Sequence, residues 1–258
     1  LNGENHVVRV ITGASAGIGE CFARALAAEK QNLILVARRE ERLNALAAEL
    51  KKQHGIEAIA LKADLADQTG ADVLARRINE GGWPLAGLIN NAGFGDRGAF
   101  ADLALERQLA MIQVNITSLV SLTWQLLPAL RKQSGSFVIN VASTAAFQAG
   151  PNMAIYYATK AFVLSFSEAL HEELKGSGVA VSALCPGATD SEFAQEAHMT
   201  DTKLFKAGTM TAEDVVKKSL AQRRNAIVIP GLRNLLMVWS GKLSPRAVTR
   251  RLAGWLQA

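Results

Sequence analysis

The sequence predicts an α/β fold, a doubly wound parallel sheet of about seven strands with helices on both faces. Three observations carry that expectation. Apolar, β-rich runs alternate with amphipathic helical runs along the chain, without a series of hairpin signals. The strand runs are nearly all apolar, as strands covered on both faces must be. Each unusual segment, whether rich in glycine, asparagine or Pro-Gly, follows a strand run, where open α/β sheets hold their ligands.

The elements follow in order. Residues 7–11 read as a first strand and residues 20–30, rich in Ala and Leu, as a first helix. Residues 32–37 are a second strand, followed by a helix over 38–54 whose Leu43, Leu46, Ala47 and Leu50 recur at helical spacing. A third strand at 58–64 precedes a helix at 71–78, and a fourth at 85–90 ends in Asn91-Ala92-Gly93. A long helical region covers 105–131. Then come a strand at 137–141, a helix at 156–174, a strand at 179–184, a helix at 212–224 and a last strand at 226–229. No repeat, low-complexity tract or linker interrupts this series. One domain over residues 1–231 is expected, with a basic amphipathic extension at 232–258.

The 258 residues, 49% hydrophobic and 20% charged, describe an ordinary globular chain rather than a disordered one. Leu1 to His6 carry no charged and long apolar leader pattern, so no secretory signal is expected there, and the reading is cytoplasmic. No uninterrupted apolar run has the length of a membrane span. The net charge of +5 is accounted for by Arg233, Lys242, Arg246, Arg250 and Arg251, in a tail without acidic residues. A basic tail on a balanced domain argues against nucleic acid as a partner. Cys21 and Cys185 lie in apolar contexts and read as buried free thiols of a reducing compartment. His6, His54, His171 and His198 are scattered, and no metal site is proposed.

Gly13, Gly17 and Gly19 stand between the first strand and the first helix. Glycines there let the backbone turn tightly and approach a pyrophosphate that caps the helix N-terminus. An acidic residue about 20 positions after such a loop would bond the ribose 2′-hydroxyl of NAD. Ala37-Arg38-Arg39 stands at that place instead. A guanidinium pairs with a phosphate, and charge-assisted hydrogen bonds contribute about 1.5–3 kcal/mol each, so NADP(H) is favoured over NAD(H). Arg38 is the expected contact and Ser15 adds a hydroxyl, whereas Arg39 is either a second contact or a solvated first-turn residue. Tyr156 and Lys160, four apart on a helix, project side by side. Such a pair is common on surface helices. Here the ammonium is expected to lower the Tyr156 pKa toward that of a general acid and base. Tyr157 points about a hundred degrees away.

Together Thr12-Gly13-x-x-x-Gly17-x-Gly19, Asn90-Asn91-Ala92-Gly93, Asn115, Ser143, Tyr156-x-x-x-Lys160 and Pro186-Gly187 resemble the short-chain dehydrogenase/reductase family in its single-domain form, with a Rossmann-like fold. The resemblance runs from about residue 7 to 229, and the spacing of Asn91-Ala92-Gly93-Phe94-Gly95 and Val141-Ala142-Ser143-Thr144 resembles a bacterial branch of generic oxidoreductases or ketoacyl-type reductases. It implies an NADP(H)-dependent carbonyl reductase, reversible as an alcohol dehydrogenase, acting on a small molecule as a homodimer or homotetramer. Ser143 and Tyr156 would bond the substrate carbonyl oxygen, Tyr156 would deliver the proton, and Lys160 would hold the nicotinamide ribose. Asn115 would mark a helix distortion that places a water on a proton relay, unless it is a plain solvent-facing Asn. The implied cofactor contacts are Gly13, Ser15, Ala16, Gly17, Ile18, Gly19, Arg38, Arg39, Asp64, Leu65, Asn91, Ala92, Gly93, Tyr156, Lys160, Pro186, Gly187 and Thr189. Asp64 would meet the adenine amino group or else cap a helix, and Asn90 would shape the cofactor floor. Ser191 stands where many relatives carry Thr.

Residues 192–208 read as a polar, irregular insert with Phe193, Met199, Leu204 and Phe205, and Met210 just beyond, either a mobile lid over an apolar substrate pocket or a disordered surface loop. The tail after Leu232 has three readings: packing on the domain, an oligomer interface, or docking on anionic lipid. A non-catalytic NADP-binding sensor on the same fold is the rival from another class, and an intact Asn115, Ser143, Tyr156 and Lys160 set argues against it. A sugar-nucleotide epimerase shares the Tyr-x-x-x-Lys but typically has a different glycine spacing and a longer substrate domain.

Overall fold

The computed structural model describes residues 7–257, so the readings made on Leu1 to His6 lie outside the described residues. Seven strands make one sheet: β1 (Val8–Thr12), β2 (Asn32–Ala37), β3 (Ala58–Lys62), β4 (Leu85–Asn90), β5 (Ser136–Val141), β6 (Val179–Leu184) and β7 (Ile227–Val228). Their order is β3-β2-β1-β4-β5-β6-β7 and every pairing is parallel. The order reverses between β1 and β4, and the crevice at their carboxyl ends is where such sheets bind ligands.

Register and burial explain each other. Ile34, Val10, Leu88, Val138 and Val181 stand side by side across five strands and face one layer of helices. The next row, Leu35, Ile11, Ile89 and Ile139, faces the other layer. Each of these apolar side chains contributes about 1.5–3 kcal/mol by burial. A one-residue slip would exchange the two rows, so the pattern fixes the register. On the second row pack α1 (Gly17–Ala28), α2 (Glu40–His54) and a later helix, Ala212–Ala221, through Phe22, Leu26, Leu43, Leu50, Val215 and Leu220. On the first row pack α3 (Gly70–Glu80), a long helical run and α6 (Ala154–Glu173).

That long run is continuous from Leu105 to Leu130. It comprises α4 (Leu105–Ile112), a π-helical segment (Gln113–Ser118) and α5 (Leu119–Leu130). It has 26 residues, and an 18-residue window within it reaches a mean hydropathy of 1.2, the length and composition of a membrane span. Glu106, Arg107, Gln108, Gln113 and Asn115 interrupt it, which is why no unbroken apolar run is visible in the sequence. Its Leu122, Leu126 and Leu130 are buried on the sheet, while Leu105, Leu109 and Trp124 face outward.

One segment departs from its sequence reading, the insert, and for the tail the structure bears out one of three readings, packing on the domain. The insert at 192–208 is ordered as α7 (Glu192–Glu196) and α8 (Lys203–Lys206), with Ala194, Ala197, Met199 and Thr202 buried. Thr202 caps α8 by accepting from the Phe205 amide at 3.4 Å. After α9 (Ala212–Ala221) and β7, the tail forms α10 (Leu232–Leu243) and α11 (Arg246–Gln257), both folded back on the domain. Asn234 donates to Pro230 O at 2.8 Å and fills the space beside Gly187, where a Cβ would lie 2.4 Å from its Oδ1. Lys242 Nζ sits 5.1 Å from the Phe147 ring. Gln257 donates to the Tyr157 hydroxyl at 2.8 Å, and Arg97 donates to Gln257 O at 2.6 Å.

Candidate active site

The site is built on the turn after β1. Gly13 and Gly17 have φ of +66° and +55°, a left-handed backbone that glycine adopts without steric cost. A Cβ on Gly13 would lie 2.7 Å from Asn91 Nδ2, and one on Gly19 would lie 2.2 Å from Gly13 O. Thr12 and Asn91 tie the turn to the next strand. The Thr12 hydroxyl accepts from the amides of Asn91 and Ala92, both at 3.0 Å, and Asn91 Nδ2 donates to Thr12 O and Gly13 O at 3.0 and 3.2 Å. No side chain caps the N-terminus of α1. Its first-turn amides and the positive end of its dipole are therefore available to an anion.

A cavity of about 270 Å³ opens above this turn. Every predicted cofactor residue lines it except Gly19, which is buried under the turn against Gly13. Asn90 is not on the floor but below it: its Nδ2 donates to Thr123 Oγ1 at 2.9 Å and to Asn140 Oδ1 at 2.8 Å, a buried polar layer between strands and helices. Asp64 makes a local turn, accepting from the Ala66 amide at 2.9 Å. At the far end Arg38 is exposed to the cavity, and Arg39 donates from Nε to Ser15 Oγ at 3.1 Å. Arg39 and Arg42 also grip Glu192 at 2.7 and 2.6 Å. The two guanidiniums hold the Glu192 carboxyl below the usual carboxylate range.

Ser143, Tyr156 and Lys160 come together at the other end. Ser143 lies two residues past the end of β5 and accepts from the Ala145 amide at 3.1 Å, which orients its hydroxyl. Lys160 is buried, donates to Val141 O at 2.7 Å and has its Nζ 5.8 Å from the Tyr156 ring centroid. The expected lowering of the Tyr156 pKa is not what this environment produces. Burial of the phenol drives its pKa well above the usual value, and the Ser143 hydroxyl offsets only part of that. Burial also acts on Lys160, pulling its pKa down to about 8. Asn115 is buried in the π-helical segment, a distortion that turns it inward. Its amide clamps Phe94, accepting from the Phe94 amide at 3.1 Å and donating to Phe94 O at 3.0 Å. It also donates to Thr159 Oγ1 at 3.1 Å, one residue before Lys160. The solvent-facing alternative for Asn115 does not hold.

A second, smaller pocket of about 60 Å³ adjoins the first across Ser143, Tyr156, Gly187, Thr189 and Phe193. Its remaining walls are largely apolar, with Met199, Leu204 and Phe205 from the insert and Met237, Ala253 and Leu256 from the tail. Phe193 packs on Tyr156 with ring centroids 5.6 Å apart. The competing Tyr157 is turned away to Gly150 and Gln257, with its ring at 77° to that of Tyr156.

The sequence matches the short chain dehydrogenase family over residues 7–202. The chain is a short-chain dehydrogenase/reductase. It is 30% identical over 253 residues to the ketoacyl reductase HetN of Nostoc sp., covering 93% of this chain and 86% of that one. A short-chain dehydrogenase from Sphingobium yanoikuyae in complex with NADPH superposes with a TM-score of 0.82 at 33% identity, covering 92% and 93% of the two chains. A family member from Burkholderia phymatum in complex with NAD gives a TM-score of 0.79 at 25% identity, covering 93% and 94%. The protein is thus an oxidoreductase that uses a nicotinamide cofactor and a small-molecule substrate.

For this dehydrogenase/reductase, one contributor to the site was not legible in the sequence, and two more were legible only as one reading among several. Glu192 faces Arg39 from 153 positions away. Phe193 covers Tyr156, and the tail supplies a wall of the smaller pocket. The helical spacing of Leu232, Leu235, Leu236 and Trp239 is a signal that would have placed a helix in the tail.

Proposed function

We propose that this short-chain dehydrogenase/reductase is an NADPH-dependent carbonyl reductase, reversible as an alcohol dehydrogenase, with Tyr156 as general acid and base. The observation that carries the reading is a shared wall. Ser143 and Tyr156 line both the large cavity and the apolar pocket, so a carbonyl held in the pocket meets both hydroxyls beside the cavity. Residues 1–231 carry the chemistry, and residues 232–258 close the substrate side.

The large cavity fits a dinucleotide phosphate. Gly13 and Gly17 leave a cradle that a Cβ would crowd, and α1 presents an uncapped N-terminus. Arg38, Arg39 and Ser15 fit a 2′-phosphate with no carboxylate from β2 to repel it. Bound there, the nicotinamide supplies the hydride for reduction or takes it up in the reverse direction. Tyr156 gives its phenolic proton to the carbonyl oxygen. A phenol is neutral at neutral pH and so carries the proton that reduction consumes. Ser143 bonds the same oxygen and stabilises the developing charge, an effect of about 10²–10³-fold for a single positioned donor. Lys160 holds the nicotinamide ribose, and Asn115 fixes the Gly93–Phe94 backbone next to it. The exposed Leu105, Leu109 and Trp124 on the outer side of the long helical run support association with a second copy.

The test is NADPH oxidation against ketoacyl thioesters, β-keto esters, diketones, quinones, steroids and aldehydes. The expected result is turnover of at least one apolar carbonyl class with NADPH well above NADH. Binding of NADPH without turnover of any of them would support a sensor instead.

A further inference from the structure

The inward and outward faces of the tail have opposite uses. Inward, Met237, Ala253 and Leu256 wall the smaller pocket. Outward, α10 presents Leu232, Leu235, Leu236, Trp239 and Leu243, with Trp239 56% and Leu243 83% exposed. At 100° per residue these five fall within one stripe of the helix. The outward side of α11 adds Val248, Leu252 and Trp255, all exposed. Helices packed on a domain ordinarily turn their polar side to water, so two adjacent helices with apolar outer sides form a contact surface.

The charges around this surface say what covers it. Arg233, Lys242, Arg246, Arg250 and Arg251 are all exposed on the two helices, and residues 232–257 contain no acidic side chain. Lys203 adds a cation 4.3 Å from the centroid of the Trp255 ring. Asp201, on the adjoining segment, is held by Arg97 at 3.0 Å. A twofold contact between copies sets a patch against itself. Five cations from each copy would then meet with no acid in the patch to pair them, an arrangement that like-charge repulsion opposes. An anionic bilayer supplies the missing charge, takes up the Leu side chains and suits Trp at the headgroup level.

We propose that α10 and α11 dock the protein on the surface of an anionic membrane, lying in the interface plane rather than spanning it. The same two helices carry the pocket wall on their inner sides. Docking therefore places the substrate pocket one helix thickness from the lipid, which suits a carbonyl substrate that partitions into membranes.

Flotation of the full chain with vesicles tests this. The protein should float with vesicles of phosphatidylcholine and phosphatidylserine, bind phosphatidylcholine alone at least roughly tenfold more weakly, and detach as salt is raised. Trp239→Glu with Leu243→Glu should abolish flotation while leaving turnover of a water-soluble carbonyl and the circular dichroism unchanged. Arg250→Gln with Arg251→Gln, which leaves the apolar stripe intact, should weaken binding roughly fivefold or more per charge removed. The proposal is overturned if the wild-type protein ignores anionic vesicles, or if either double variant floats as well as wild type. It is equally overturned if sedimentation without lipid shows Trp239→Glu with Leu243→Glu splitting an oligomer, since a second copy would then be the occupant.

Discussion

At the scale of single residues, burial outweighs the neighbour. The Tyr156–Lys160 spacing was legible in the sequence, but the expected electrostatic help assumed a solvated ammonium beside a phenol. Both groups are instead buried, and desolvation raises one pKa and lowers the other. This has a stability consequence. The folded protein gives up the Lys160 proton near pH 8, and the unfolded chain does so near the ordinary 10.5. The unfolded state therefore holds more protons across that window, and the Lys160 contribution makes stability rise with pH there. Below pH 8 the buried charge costs on the order of 3 kcal/mol. Cys185 is the buried thiol expected, whereas Cys21 is only half-buried and faces the Glu213 carboxylate. Both are pushed up to about 12, Cys185 by burial and Cys21 by burial and then Glu213, and titrate in the opposite sense at higher pH, so the Lys160 contribution is best read as a difference. Lys160→Met should stabilise the protein at pH 7 by more than it does at pH 10, as followed by thermal unfolding; equal effects at both pH values would contradict the burial account. Arg38→Ala should weaken NADPH by roughly tenfold or more and NADH little, in line with one charge-assisted contact. An equal loss for both cofactors, measured by titration, would remove the 2′-phosphate assignment.

At the scale of elements, the regular helices and strands of the sheet were legible because each has enough residues to show a period. The insert was not, since α7 and α8 have five and four residues, too few for a helical repeat to appear. The pairing of Glu192 with Arg39 and Arg42 was beyond reach for another reason. It joins two segments 153 and 150 positions apart, and only the fold brings them together. Glu192 sits on α7 over the cavity mouth and occupies a guanidinium that a 2′-phosphate needs. Exposed ion pairs of this kind contribute about 0.2–1 kcal/mol each. Glu192→Gln should therefore tighten NADPH binding roughly two- to fivefold and leave NADH nearly unchanged, as isothermal titration would show. If both cofactors weaken together, Glu192 acts as a latch for the insert and not as a competitor. The tail was half legible. Its apolar spacing was visible, yet the stripe points outward, so periodicity alone gave no packing direction.

At the scale of the whole molecule, sheet order and the gathering of the site follow from one topological fact. The chain reverses its progression between β1 and β4, and Gly13, Asn91, Ser143 and Gly187 each follow a strand on the same sheet edge. That much can be read from strands and motifs in sequence order. What covers the outer surfaces cannot, because exposed apolar residues such as Trp124, 76% exposed, look in the sequence like core residues of an amphipathic helix. Trp124→Glu should lower the mass of the assembly in analytical ultracentrifugation without disturbing the fold; an unchanged mass would move the self-association surface elsewhere. The central claim is that Tyr156 transfers the proton while the glycine turn and arginines hold the cofactor. Turnover and NADPH affinity measured together on Tyr156→Phe test it most directly. The account predicts turnover reduced by at least about 10²-fold with NADPH affinity within a few-fold of wild type. Retained turnover in that variant would contradict it.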